Sequence, residues 1–395
     1  MKLGSAFLLL FFITFFIQAN LHPAQPSALS KKIDGNHGSQ LNNSCLDPAL
    51  KDQDCGKPAI HKKRVGFYVR HLSIRGTEAA TYDYADCNET LLGNESFIFL
   101  VDEMKAFKNS ADFPMSVREK FQNRFKKNFY ECANFEEVES IILKEHIDVL
   151  YNQKYGVPDE HQSKICKNAV HAVFTLGVHG DVFAAISEWL SQQDPPCYVP
   201  FVPYMVRLDD TLETLHSELN IPHDAIVFGR HGGYNTFNIE FAKEVVLEAA
   251  QLHPNWYFIF LNTAPFCNSN SLDFPNIIFL PGSANSSYKT KFINTCDAML
   301  HARLEGETFG HACAEFSIRN KPIITWLGGD RAHIAMLGDK GLYYNNKEEL
   351  KNILSYFENN IKSIRRSNWD VYSKKYNPIA VMEKFDEVFL QPFFP

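Results

Sequence analysis

Two glutamates, Glu307 and Glu315, stand eight positions apart in the stretch Glu307-Thr308-Phe309-Gly310-His311-Ala312-Cys313-Ala314-Glu315. Carboxylates accept hydrogen bonds from hydroxyl groups, so a spaced pair suits a polyhydroxylated ligand. An apolar run ends at His301, a polar loop (Ala302 to Gly306) follows, and the pattern predicts a helix from Thr308 to Ile318. The first amides of such a helix lack partners within it and sit at the positive end of its dipole, which suits a diphosphate. Gly310 has no side chain to obstruct a ligand. Eight residues of helix rise about 12 Å, enough to reach from a sugar to a ribose across a diphosphate. Spacing alone also fits an ordinary helix that happens to carry two acids.

Other residues could join this chemistry. Arg230 ends an apolar run, and its guanidinium can fork around phosphate; the plain alternative is a surface ion pair. His179 follows the run Ala172 to Leu176 and could face an acceptor or the transferred sugar, whereas a lone His is often a satisfied core residue. Gly76 and Thr77, after Arg75, open a predicted helix and could face phosphates; Thr77 could equally be a simple cap. His71 and His231 are weaker candidates. Asp52-Gln53-Asp54 lies in a linker-like stretch and Asp209-Asp210 between two patterned regions, so both read as solvated acids. There is no C-x-x-C pair, and no metal or other cofactor is expected.

The elements that must position these residues alternate between short apolar runs and longer helical patterns. Val65–Val69, Phe97–Val101, Ile147–Tyr151, Ala172–Leu176 and Tyr198–Val202 read as strands, with Thr77–Asn88, Phe135–Glu145 and Val182–Gln192 as helices. A second set follows. Ala225–Phe228, Trp256–Leu261, Ile277–Leu280, Ala298–Leu300, Pro322–Thr325 and Leu342–Tyr344 read as strands, with Ile239–Leu252, Thr308–Ile318 and Lys347–Phe357 as helices. Continuous apolar strands joined by helices imply parallel sheets covered on both faces. The expected architecture is α/β, two doubly wound Rossmann-like domains with a cleft between them. Ligands in such sheets bind beyond the carboxyl ends of the strands. The domains are expected over 61–215 (acceptor side) and 216–365 (donor side), with a helix over 366–395 crossing back.

The first 19 residues read as a signal peptide, or alternatively an uncleaved anchor. Lys2 precedes the apolar stretch Ala6 to Ile17, and Ala19 suits cleavage. Residues 20–60 are rich in Pro, Ser, Asn and Gly and read as a linker. These features predict a secreted or secretory-pathway protein, possible membrane association through the N-terminal segment, and a glycoprotein if its host glycosylates. Sequons stand at Asn42, Asn88, Asn94 and Asn285. Nine cysteines cannot all pair internally; Cys45 and Cys55 could bridge in an oxidising lumen. A net charge of −7 without a long basic run excludes nucleic acid as an expected partner.

The residues above resemble the GT-B glycosyltransferases, specifically the retaining group with two glutamates eight apart (glycosyltransferase family 4). The resemblance rests on Glu307, Phe309-Gly310, Glu315 and the following Lys321-Pro322-Ile323-Ile324. Pro281-Gly282, Tyr288, Cys296-Asp297-Ala298 and Phe228-Gly229-Arg230 resemble the approach to that motif. Arg75-Gly76-Thr77-Glu78 resembles the Gly-rich loop facing the donor phosphates, and Ile379 to Phe389 resembles the returning helix. One departure stands out: relatives carry a Lys five residues after the Arg, where this chain has Asn235. Lys289, Lys291 or the Gly232-Gly233 turn could take its place.

The resemblance implies a hexosyltransferase-like, metal-independent enzyme that moves a sugar, with retention, from a nucleoside-diphosphate sugar to an acceptor hydroxyl on a glycan, lipid or small molecule. It implies that Glu307 holds donor-sugar hydroxyls and Glu315 the ribose. Arg230 and the amides of Thr308, Phe309 and Gly310 would face the diphosphate, and His179 would line the acceptor side. The alternatives are a sugar-nucleotide epimerase or hydrolase on the same scaffold, or a non-catalytic carbohydrate- or nucleotide-binding relative.

Overall fold

The apolar runs become two parallel six-stranded sheets. A computed structural model describes residues 62–107, 110–193, 198–268 and 273–394. The expected signal segment and linker, Cys45, Cys55, Asn42 and Asp52–Asp54 lie outside these residues. The first sheet comprises β1 (Arg64–Val69), β2 (Glu95–Leu100), β3 (Phe129–Glu131), β4 (Val149–Lys154), β5 (Lys167–Ala172) and β6 (Val182–Ala185), in the order β3-β2-β1-β4-β5-β6. The second comprises β7 (Ile226–His231), β8 (Trp256–Leu261), β9 (Ile277–Leu280), β10 (Ala298–His301), and two later strands. A two-residue strand, β11 (Gly306–Glu307), intervenes; then come β12 (Ile323–Trp326), β13 (Asp330–Arg331) and β14 (Leu342–Tyr344). The order of the second sheet is β14-β12-β10-β7-β8-β9, while β11 and β13 pair separately. Both sheets lie within one unit, Ile60–Pro395.

The helices are α1 (Gly76–Thr90), α2 (Met115–Phe125), α3 (Phe135–Lys144), α4 (Glu188–Ser191) and α5 (Glu240–Leu252). They continue with α6 (Ser286–Thr295), α7 (His311–Ile318), α8 (Ala332–Leu337), α9 (Lys347–Arg366) and α10 (Pro378–Phe385). Their starts follow side-chain chemistry where a cap exists. Asn134, Asn285, Asn346 and Asn377 each accept an amide three residues on, at the starts of α3, α6, α9 and α10.

Strands β1, β7 and β8 are apolar almost throughout because both of their faces are covered. One buried cluster runs from Phe67 and Tyr151 in the first sheet, through Phe309, Tyr372 and Phe385, to Val227, Ile259 and Met299 in the second. Separate clusters cover the outer faces: Tyr68, Phe99 and Val138 on the first, Phe228, Phe258 and Phe357 on the second. Helix α10 seats Phe385 against Phe67 and Tyr151 of the first sheet and Tyr84 of α1, with ring centroids 5.1–6.4 Å apart. The six described cysteines are unpaired: Cys87, Cys132, Cys166, Cys267, Cys296 and Cys313.

Four local expectations give way, the first being the strand expected at Ala172–Leu176, which instead spans Lys167–Ala172. Val182–Gln192 is not one helix but β6 followed by the single turn α4. Its apolar residues fit helical spacing, yet β5 offers a free edge, and Ala169 to Ala172 pair with Val182 to Ala185. The stretch Tyr198–Val202 forms only one bridge, Ala185 to Phe201, rather than a strand. Helix α7 begins at His311, three residues later than expected.

Candidate functional site

Each sheet reverses its strand order once, between β1 and β4 and between β7 and β10. Crevices form beyond the carboxyl ends of strands at such points. The loops leaving β1, β7 and β10 therefore decide what the cleft contains.

The loop after β10 carries Glu307. Gly306 has φ +69°, and a Cβ there would lie 2.2 Å from the Asp330 carbonyl oxygen. This close approach lets β11 pair with β13, Glu307 opposite Arg331. Glu307 Oε1 accepts from His301 Nε2 at 3.1 Å, and Oε2 from Arg303 at 3.1 Å. His301 Nδ1 lies 2.8 Å from Thr325 Oγ1, which lies 2.9 Å from His333 Nε2. With Glu307 ionised, one assignment satisfies the whole chain: His333 donates to Thr325, Thr325 to His301, and His301 to Glu307. Burial opposes the Glu307 charge, but Arg303 and His301 outweigh it and hold the carboxyl well below the usual carboxylate range. Burial also lowers His333 to about 3, keeping it neutral. The Glu307 side chain is still 21% exposed, so one side of this anchored carboxylate remains open to a ligand.

Glu315 lies one face deeper, in the body of α7, and is 2% exposed. Lys289 from α6 pairs with its Oε1. His231 Nε2, at the end of β7, stands 3.0 Å from Oε2, and His311 Nε2 stands 3.7 Å from Oε1. Burial opposes the Glu315 charge; Lys289 and His231 overcome it and hold the carboxyl well below its usual range. Burial lowers His311 to about 4 and lowers His231, so both rings are neutral at pH 7. Across the cleft, burial raises Asp83 of α1 to about 6 despite Arg207 beside it.

The two halves meet at the starts of α1 and α7. Gly76 is the first residue of α1, and a Cβ on it would sit 3.4 Å from the His311 Cβ. Neither helix has a side-chain cap, so both present free amides there. Thr77, next in α1, lies beside Tyr204, whose hydroxyl donates to Gln153 at 2.9 Å and whose ring packs on Phe309 and His311 at 5.1 and 5.9 Å.

The structure redistributes several expected roles. Thr308, Phe309 and Gly310 precede α7 rather than opening it. Gly310, at φ +84°, turns the chain into the helix, so its free amides belong to His311 onward. The Thr308 carbonyl accepts from Ser187 Oγ of the first half at 2.6 Å. Phe309 is buried among Tyr204, Tyr372 and Tyr376, a packing role. Arg230, 3% exposed, gives both terminal nitrogens to loop oxygens: Asn262 O, Thr263 Oγ1, Gly233 O and Thr236 Oγ1. It stiffens the Gly232-Gly233 turn, and burial lowers it to about 10. Lys291 pairs with Glu213, leaving Lys289 as the lysine at the Glu315 carboxylate.

His179 does not join them. The β5–β6 connection folds back along the sheet, and Asp181 N–H donates to Asn168 O near the start of β5. His179 packs on Phe183, four residues later, and its Nδ1 lies 2.6 Å from the carbonyl oxygen of Gly177, at the amino-terminal edge away from the cleft. Sequence reasoning passed over His301, Arg303, His311, His333 and Asp112. The first four flank Glu307 and Glu315 at strand ends and helix starts, where position alone could have flagged them. Asp112 carries no local signal.

Among the described residues, no group of three or more His, Cys, Asp or Glu is arranged to hold a metal ion. No described helix is long and apolar enough to cross a membrane. A cavity of about 550 Å³ lies at the opposite edge of the first sheet, lined by Arg64, Lys127, Tyr130 and Glu145, far from these loops.

No protein-family model and no curated protein matches the chain. Solved structures do. A glycosyltransferase from Rickettsia africae is similar, with a TM-score of 0.61, 13% identity, and coverage of 84% of this chain and 98% of that one. Anabaena HepE, solved with UDP and glucose, gives a TM-score of 0.61 at 13% identity, over 82% of this chain and 98% of its own. A Listeria monocytogenes protein assigned as a UDP-N-acetylglucosamine 2-epimerase gives 0.56 at 11%, over 84% and 97%. The chain therefore has the GT-B fold of these sugar-nucleotide proteins.

Proposed function

We propose that this chain is a glycosyltransferase that moves a sugar, with retention, from a nucleoside-diphosphate sugar to an acceptor hydroxyl. The observation that carries the reading is the pair Glu307 and Glu315. Both are held ionised, at the carboxyl end of β10 and along α7, with the start of α1 facing them. Glu307, anchored by His301 and Arg303, takes the donor-sugar hydroxyls. Glu315 takes the ribose, with Lys289 moving aside or turning to the phosphates. The free amides of α1 and α7 hold the leaving diphosphate, where fixed dipoles need no reorganisation as charge develops. Retention and a hexosyl donor follow from the family resemblance; the acceptor is a glycan, lipid or small molecule.

A screen of nucleotide sugars by thermal shift identifies the donor, since a ligand of the native state stabilises it by mass action. Product analysis with that donor then tests the roles. Glu307→Ala is expected to keep nucleotide binding and lose transfer, whereas Glu315→Ala weakens nucleotide binding itself. Wild-type turnover in both variants would sink the assignment. The epimerase fold match favours one rival, and product formed from the donor without any acceptor would establish it.

A further inference from the structure

The cleft already contains an anion. Asp112, between β2 and α2 in the first half, is 7% exposed and bonded at both oxygens. Oδ2 accepts from Arg75 Nε at 3.2 Å and its NH2 at 2.5 Å. Oδ1 accepts from the Tyr234 N–H at 3.1 Å and Asn262 Nδ2 at 3.1 Å. A guanidinium fork, a main-chain amide after a Gly-Gly turn and a carboxamide are donors that suit a phosphate oxygen equally well. The buried Arg230 behind the turn adds positive potential, and Asp112 lies close enough to raise its pKa.

Asn262 bears the strain of this arrangement. It adopts φ +52°. Its amide nitrogen reaches both Asp112 and the Gly232 carbonyl, at 3.1 and 2.8 Å. Its own Oδ1 is buried with no partner, in a residue 4% exposed. Buried carboxamide oxygens are seldom left so, which marks a position a ligand hydroxyl could satisfy. The loop after β7 carries Asn235 rather than a lysine, so the positive groups around the Gly232-Gly233 turn are balanced by a carboxylate from the chain itself.

We propose that Asp112 is a resident anion that the donor's phosphate must displace, and that its displacement unlatches the two halves. The proposal rests on the cleft being the donor site. When phosphate oxygens take the Tyr234 amide and Asn262, Arg75 is released toward the incoming charge. The Asp112 bonds to Tyr234 and Asn262, which join the halves, are then lost. Asp112 thereby sets a threshold: only a ligand with enough negative charge to outcompete a tethered carboxylate enters fully.

Calorimetric titration with inorganic pyrophosphate tests this on the full chain. Asp112→Ala and the near-isosteric Asp112→Asn are each expected to bind pyrophosphate about tenfold more tightly than wild type. Adding Arg75→Ala to either variant should reverse the gain. Hydrogen exchange gives a second readout: pyrophosphate should speed exchange of the Ile74 amide, which donates to the Asp112 carbonyl, in wild type. Unchanged or weaker binding by Asp112→Asn, or no pyrophosphate binding by any form, overturns the proposal. Tighter binding by Asp112→Asn without sugar transfer by any form would retain the latch and remove the transferase reading. Transfer without tightening would do the reverse.

Discussion

Glu307 is held ionised and His311 neutral, four positions apart on one segment. Glu307 is kept ionised by Arg303 and His301, so Glu307→Gln removes a charge while nearly keeping shape. Donor turnover is expected to fall by about 10² or more, with nucleotide affinity within about threefold of wild type, measured by steady-state kinetics and titration. His311, His333 and His171 are neutral because burial lowers them, to about 4, 3 and 3. In the unfolded chain each titrates near 6.5. Below about pH 6.5 the unfolded state binds protons that the folded state refuses, so stability falls with pH until the folded values are reached. Urea denaturation at pH 7, 5.5 and 4.5 should show this decline beginning above the carboxylate range. A midpoint constant down to pH 5 would contradict the burial of these rings.

At the scale of the element, the turn into α7 depends on Gly310. At φ +84° a side chain is strained, and a Cβ would come within 2.9 Å of the His333 Cβ. Gly310→Ala should lower stability by about 1–3 kcal/mol in urea denaturation and disturb Glu307 more than Glu315, since Glu307 lies just ahead of the turn. This turn also shows why part of the site could not be read in advance. The two glutamates, the strand before them and the helix after them were legible, because apolar periodicity and spacing are local. The true helix start was not: it depends on β11 pairing with β13, 24 positions downstream, from Gly306 to Asp330. His179 was misplaced for a related reason. Following a strand puts a residue near the cleft only if the chain lingers there, and this connection folds back to Asn168. Asp112 was invisible, since its four donors come from Arg75, Tyr234 and Asn262, brought together by the fold alone.

At the scale of the whole molecule, the two described halves are joined through a shared core. Phe309 belongs to the second half by sequence yet packs on Tyr204, and Phe385 caps the Phe67 and Tyr151 rings of the first sheet. Truncation before Pro378 should expose Phe67, Tyr84 and Tyr151 together and give aggregation or loss of a cooperative transition, seen by light scattering and calorimetry. The intact chain should unfold in one transition rather than two, because a single cluster of buried side chains spans both sheets.

The amide nitrogen of Asn88 faces inward, 2.9 Å from Ser96 Oγ, and the residue is fully buried on the inner side of α1. Any enzyme that would attach an oligosaccharide there needs that nitrogen before α1 docks on β2. Folding thus closes the triplet, and a glycan attached early would wedge the helix from the sheet. Chains carrying sugar at this position should be recovered among misfolded material, never in the native fraction.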